Sequence, residues 1–241
     1  MSVSLSVQEY VARQPRLAWR RRAMRWLIRQ LPFRMVRLTV TGLENIPPAG
    51  PTILMINHIS AIDPGLCMGA VTHRFVVPMT KIENTYHLAG RLAVWWWGSY
   101  TVTRGEADRK ALLNSIELLK SGQLILIAPE GTRQQHGLAR PKDGLAYIAT
   151  KADAAIVPAG ISGAADWKAK WQRLQRPAIQ LNFGRAFRFN TGGQERVARE
   201  ALAAMTDEAM YQLALAVADP NLRGVYSDLS KATARYLTFI E

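Results

Sequence analysis

The residues of this sequence that offer acid–base chemistry lie in Asn57-His58-Ile59-Ser60-Ala61-Ile62-Asp63, where an imidazole and a carboxylate stand five residues apart. A neutral imidazole takes a proton from a hydroxyl near pH 7, and a carboxylate on its other nitrogen fixes the tautomer and stabilises the imidazolium that forms. On a regular helix this spacing would set the two side chains about 140° apart, so the pair needs a turn. Pro64 favours the first position of a helix and supplies that turn, with Asp63 as N-cap of a helix running to about Val71. Taken alone, the same run also fits an N-cap aspartate beside a core histidine.

Ala128-Pro129-Glu130-Gly131-Thr132-Arg133 follows an apolar stretch. Glycine admits backbone N–H groups close to an anion, and arginine offers a planar fork to phosphate oxygens. Glu130 repels phosphate, so its expected task is to hold an arginine in place. Gly98-Ser99-Tyr100-Thr101-Val102-Thr103-Arg104 ends in an arginine shortly before a helix, and Val157-Pro158-Ala159-Gly160 closes a short apolar run. Singly, these also fit a turn, a surface arginine and a strand end.

The elements that must position them read as an alternation. Strands are predicted at 37–43, 51–57, 74–79, 124–128, 155–161 and 178–183. Helices are predicted from 64 to about 71, from 112 to 119 with Gly122 as C-cap, and at 144–151, 194–217 and 229–240. Turn residues fill 45–50, and 129–143 is loop-like. Such an order implies an α/β domain with a mixed, largely parallel sheet flanked by helices.

With 241 residues and 49% apolar content the chain buries a full core as one domain plus appendages. Cys67 is its sole cysteine, which excludes an intramolecular disulfide and a cysteine metal cluster and fits a reducing compartment. Of the formal charge of +13, eight units fall in residues 1–40, where nine arginines face only Glu9. Leu17, Met24, Leu27, Ile28, Leu31, Met35 and Leu38 recur at helical spacing, with Arg22, Arg25 and Arg29 on another face and Trp19 and Trp26 suited to a headgroup boundary. Residues 1–38 are therefore expected to form an amphipathic helix, or two short ones broken near Pro32, on an anionic membrane surface, and 39–241 the α/β domain. A helix packed on its own domain is the competing reading. No run reaches the roughly 20 apolar residues of a spanning helix, and the arginines lack the order of a signal peptide, so the chain is expected to rest on a membrane. Seven apolar positions at helical spacing exceed what phosphate-backbone binding needs, so no nucleic-acid partner is expected.

In order and spacing the four blocks resemble those of the lysophosphatidic acid (1-acyl-sn-glycerol-3-phosphate, PlsC-like) acyltransferase family. The resemblance spans about Gly42–Gly163, with Lys81 and Glu83 similar to its K-x-E segment and Lys142 and Gly144 to its K-x-G. It implies a single glycerolipid-acyltransferase-like α/β domain, with His58 as general base and Asp63 orienting it. Arg104, Glu130, Gly131, Thr132 and Arg133 would grip the acceptor phosphate, assisted by Lys81. The donor would be acyl-CoA or an acyl carrier protein, as co-substrate with no further cofactor or metal, and the place of work the cytoplasmic face of a membrane. Thr101 and Ala128 stand where the family usually has aromatic residues. Another lyso-lipid or hydroxy acceptor thus stays open beside lysophosphatidic acid, with a non-catalytic membrane-binding protein as the remoter alternative.

Overall fold

The structure, a computed structural model, describes residues 5–30, 33–81, 86, 88–102, 107–134, 136–142, 144–194 and 196–240. Among these, nine strands form one sheet: β1 (Arg37–Thr41), β2 (Thr52–Ile56), β3 (Val76–Lys81), β4 (Tyr100–Val102), β5 (Leu124–Ile127), β6 (Ala155–Ser162), β7 (Ala178–Phe183), β8 (Phe187–Phe189) and β9 (Leu237–Phe239). Their order is β1-β7-β6-β2-β5-β3-β4, with β8 beside β6 and β9 beside β8. Pairings are parallel from β6 through β2, β5 and β3 to β4 and between β1 and β7, and antiparallel where β7 and β8 meet β6 and β9 meets β8. The mixed, largely parallel sheet expected from the sequence is therefore present.

Every residue of β2 and β6 is buried. The cause is visible in β2, where Ile53 and Met55 enter the core on one face of the sheet and Leu54 and Ile56 the core on the other. Helices α1 (Val7–Gln30), α2 (Asp63–Ala70), α3 (Leu88–Trp97), α4 (Ala107–Lys120), α5 (Leu145–Ala152), α6 (Trp167–Gln172) and α7 (Arg199–Ala216) cover those faces.

Helix α1 starts well before the predicted stretch, burying Val7 and Tyr10, and Arg25 turns inward instead of joining a basic outer face. Arg25 donates to the carbonyls of Thr72 and Arg74 at 2.6 and 2.8 Å, and Arg29 to Gly69 at 3.4 Å. Arg21, 1% exposed, donates through Nε to Trp97 O at 2.7 Å, and its guanidinium also reaches Gly98 O and Tyr10 Oη. Arg20 donates to Trp95 O. These carbonyls lie at or just beyond the C-terminal ends of α2 and α3, where the last turn lacks backbone partners and the helix dipole is negative.

The C-terminal helix expected over 229–240 is replaced by a 3-10 turn at Leu229–Lys231 and strand β9. Glu208 on α7, buried, is the cause: its carboxylate accepts from Thr233 Oγ1, Arg235 N and Tyr236 N at 2.5, 2.9 and 2.8 Å. That grip holds the segment extended, and Phe239 packs against Phe187 across the ladder. Short elements the sequence reading passed over are α3, β4, α6 and β8.

Candidate active site

After β2 the chain passes over β5 to reach β3, whereas after β5 it passes over β2 to reach β6. The loops leaving the carboxyl ends of these two neighbours diverge, which opens a crevice of the kind α/β sheets use for ligands. His58 lies in the first loop and Glu130 to Arg133 in the second.

Asn57 ends β2 by extending its pairing with a side chain. Its Oδ1 accepts from Ile161 N at 2.7 Å and its Nδ2 donates to Ile161 O at 2.8 Å. The chain then turns back on itself, and His58 Nδ1 meets Asp63 Oδ2 at 2.9 Å. Asp63 is 0% exposed, and the same oxygen accepts from Ile59 N at 2.8 Å and Ser60 N at 2.7 Å. Asp63 therefore faces the loop behind it and does not cap α2, whose N-cap position is Ile62. Burial pushes its carboxyl up, and the hydrogen bonds from His58, Ser60 and Ile59 pull it back down. With a carboxylate on Nδ1 the imidazole keeps its proton there, which leaves Nε2 as the basic nitrogen. The His58 side chain is 24% exposed and lines the cavity described below.

Among the described residues Glu130 holds no arginine. It is buried, and its two oxygens accept from His58 N at 3.3 Å and Ala139 N at 2.8 Å, while Gln134 N donates to His58 O at 2.7 Å. Burial pushes the Glu130 carboxyl up as well. The acidic residue of this block thus ties the second loop to the first from beneath. Gly131 also differs from expectation, since its N–H closes a turn on Ala128 O at 3.0 Å. Glycine is needed there for φ of 71° and because a Cβ would stand 2.9 Å from the Lys142 side chain.

A cavity of about 1300 Å³ opens beside His58. Thr132, Arg133 and Lys142 are among its lining, together with apolar groups such as Ile28, Phe33, Met68, Pro78, Trp97 and Ile148. The adjacent tryptophans divide: Trp97 is buried with Nε1 donating to Val76 O, Trp96 is half-buried and Trp95 exposed. The structure thus brings His58, Asp63, Glu130, Gly131, Thr132 and Arg133 together. Arg104 and Glu83 lie outside the described residues, and so does the Lys81 side chain, at the end of β3. Asn57 and Gln134 were missed as positioning residues; only Asn57, next to His58 at a strand end, left a signal in the sequence.

An oriented histidine base beside a largely apolar cavity, at the switch point of such a sheet, is an arrangement suited to acyl transfer or hydrolysis. The acyltransferase family model matches residues 37–162, more than half of the chain. The chain belongs to the acyltransferase family. It is 30% identical over 142 residues to 1-acyl-sn-glycerol-3-phosphate acyltransferase alpha of Ovis aries, covering 57% of this chain and 49% of that protein. It is 31% identical over 126 residues to the 1-acyl-sn-glycerol-3-phosphate acyltransferase of Borreliella burgdorferi, covering 51% and 50%. The crystal structure of the 1-acyl-sn-glycerophosphate (LPA) acyltransferase PlsC from Thermotoga maritima superposes with a TM-score of 0.57 at 25% identity, over 84% of this chain and 76% of that one. The chain spans about half the length of the curated relatives it matches.

Proposed function

We propose that the chain transfers a fatty acyl group from a thioester, acyl-CoA or acyl carrier protein, to the free hydroxyl of lysophosphatidic acid, giving phosphatidic acid. The observation that carries this reading is the 2.9 Å contact of His58 Nδ1 with buried Asp63, beside a largely apolar cavity that His58 and Arg133 both line. His58 Nε2 takes the hydroxyl proton as the oxygen attacks the thioester carbonyl; Asp63 holds the ring and stabilises the imidazolium. Collapse of the tetrahedral intermediate expels the thiolate, which recovers the proton from His58. The reaction needs no covalent acyl-enzyme and no cofactor beyond the acyl donor. Arg133, with Thr132 beside it, receives the acceptor phosphate, and Arg104 and Lys81 join it; Glu130 and Gly131 serve by holding the loop. The likeness to 1-acyl-sn-glycerol-3-phosphate acyltransferases supports this acceptor.

The place of work is the cytoplasmic face of an anionic membrane. Among the described residues no helix is long and apolar enough to cross a membrane. Trp19 and Trp26 on α1 are both 62% exposed beside exposed Arg16 and Arg22, and Leu174 after α6 is 96% exposed between Arg173 and Arg176. Exposed aromatic and aliphatic groups ringed by arginines support adsorption to anionic lipid.

The test is to incubate purified protein with lysophosphatidic acid, lyso-ornithine lipid, glycerol 3-phosphate and an uncharged lyso-lipid, each with both donor types, and to identify products by mass spectrometry. Acylation of lysophosphatidic acid well above the others is expected. Equal use of the uncharged acceptor would overturn the assignment. Vesicle sedimentation is expected to show Trp19→Glu/Trp26→Glu protein released from anionic vesicles that retain the wild type.

A further inference from the structure

A second cavity, of about 810 Å³, adjoins the first and shares Leu112, Lys142 and Gly144 with it. Among the described residues its wall carries three cations, Arg140, Lys142 and Arg199, three phenols, Tyr147, Tyr211 and Tyr226, and one acid, Asp207. Asp207 is engaged by the Tyr226 hydroxyl, and burial with that contact pushes the Tyr226 phenol up. Tyr211 stacks edge-on against Tyr226 at 5.0 Å, so these two rings form a fixed wall, while Tyr147 lies exposed at the rim. The catalytic steps use neither Arg140 nor Arg199, and a cavity of this size lined by guanidinium, ammonium and phenol groups is suited to an anion carried on an amphipathic body.

A thioester donor has that shape. Its acyl chain suits the apolar first cavity and its sulfur must lie at His58. Behind the sulfur runs a pantetheine arm that ends on a phosphate in both candidate donors. We propose that the second cavity is the donor's phosphopantetheine site. Arg140 and Arg199 hold the phosphate, and the arm passes between Leu112, Lys142 and Gly144 into the catalytic cavity. This assignment rests on the acyl-transfer reading and separates the two substrates: acceptor phosphate at Arg133, donor phosphate at Arg140 and Arg199. Where the donor is coenzyme A, Tyr147 at the rim offers a ring face to the adenine; a carrier protein makes no such use of it.

Calorimetric titration of the full chain with coenzyme A, and separately with holo- and apo-forms of an acyl carrier protein, tests the site without turnover. Coenzyme A, or the holo-form in preference to the apo-form, is expected to bind. Arg140→Ala and Arg199→Ala are each expected to weaken that binding about tenfold or more, and Arg140→Lys less. Tyr147→Ala is expected to weaken coenzyme A alone. In steady-state assays the donor KM rises with these variants and the KM for lysophosphatidic acid stays put. Unchanged binding of every probe by Arg140→Ala/Arg199→Ala protein with a wild-type melting curve would overturn the site, as would a rise confined to the acceptor KM. Wild-type protein that binds coenzyme A through these arginines yet acylates no acceptor would overturn the acyl-transfer reading and leave the site standing.

Discussion

In the loops after β2 and β5, carboxylates collect backbone N–H groups: Asp63 takes those of Ile59 and Ser60, Glu130 those of His58 and Ala139. Along α1, guanidinium groups collect carbonyls: Arg20, Arg21, Arg25 and Arg29 reach the ends of α2 and α3. Both regions satisfy backbone groups that regular structure leaves unpaired, with opposite charge because one region presents donors and the other acceptors. The difference lies in what remains afterwards. The loops leave an imidazole and Arg133 facing a cavity, whereas α1 spends its inward arginines on architecture. Only its outer residues, Arg22 and the exposed tryptophans among them, remain for a membrane.

The contrast breaks first at His58. His58→Ala removes the base but none of the backbone contacts of the loop, so kcat is expected to fall about 100- to 10,000-fold with little change in melting temperature. Near-normal turnover by folded His58→Ala protein would end the base assignment. Asp63→Asn is expected to cost less activity and to carry a stability signature. Burial raises the Asp63 carboxyl in the folded state, so its contribution to stability is present at low pH and lost as pH rises through that raised value. The Asn variant is expected to gain on wild type as pH moves from acid to neutral, read from paired melting curves.

Next comes the charge that faces the cavity. A lysine cannot reproduce the planar fork of Arg133, and loss of one charge-assisted contact costs about 1.5–3 kcal/mol, or roughly 10- to 150-fold in acceptor kcat/KM for Arg133→Lys. Donor KM is expected to stay near the wild-type value. An equal loss for donor and acceptor would mean that Arg133 shapes the loop and does not bind phosphate.

On α1 the same kind of residue affects stability instead. Arg21→Met strands the carbonyl of Trp97, while Gly98 O keeps the Tyr10 hydroxyl as donor, with an expected loss of about 2 kcal/mol and a melting temperature lower by about 4–8 °C. Exposed Arg22→Met is expected to stay within about 0.5 kcal/mol of wild type. Similar melting curves for the two variants would erase the distinction between the faces of α1.

These residues also show what the sequence could convey. The His58 and Asp63 spacing was legible because Pro64 and the buried apolar run of β2 fix where the turn falls, and the strand order was legible as far as alternation implies a parallel sheet. The inward arginines were not legible: their partners are carbonyls some 40 to 80 residues away, which carry no side-chain signature. The role of Glu130 was hidden for the same reason, since backbone N–H groups leave no mark in a motif. The 229–240 segment shows apolar residues compatible with a helix, and only the distant Glu208 holds it extended.

The smallest expected effect decides whether the acyl group ever rests on the protein. Cys67 lies on α2, one turn past Asp63, which makes it the obvious rival nucleophile. It is fully buried, and desolvation together with the nearby Asp63 charge pushes its thiol well above the ordinary range, so the reactive thiolate is scarce at neutral pH. Its side chain packs in the same core as Leu66, Val71 and Val76, which is work any small apolar group can do. Cys67→Ala is therefore expected to cost about 1 kcal/mol of stability and leave kcat essentially unchanged. Iodoacetamide is expected to label the native chain slowly and the unfolded chain fast. Loss of turnover in a folded Cys67→Ala protein would route the acyl group through a thioester on Cys67 and demote His58 from base on the acceptor to base on the thiol.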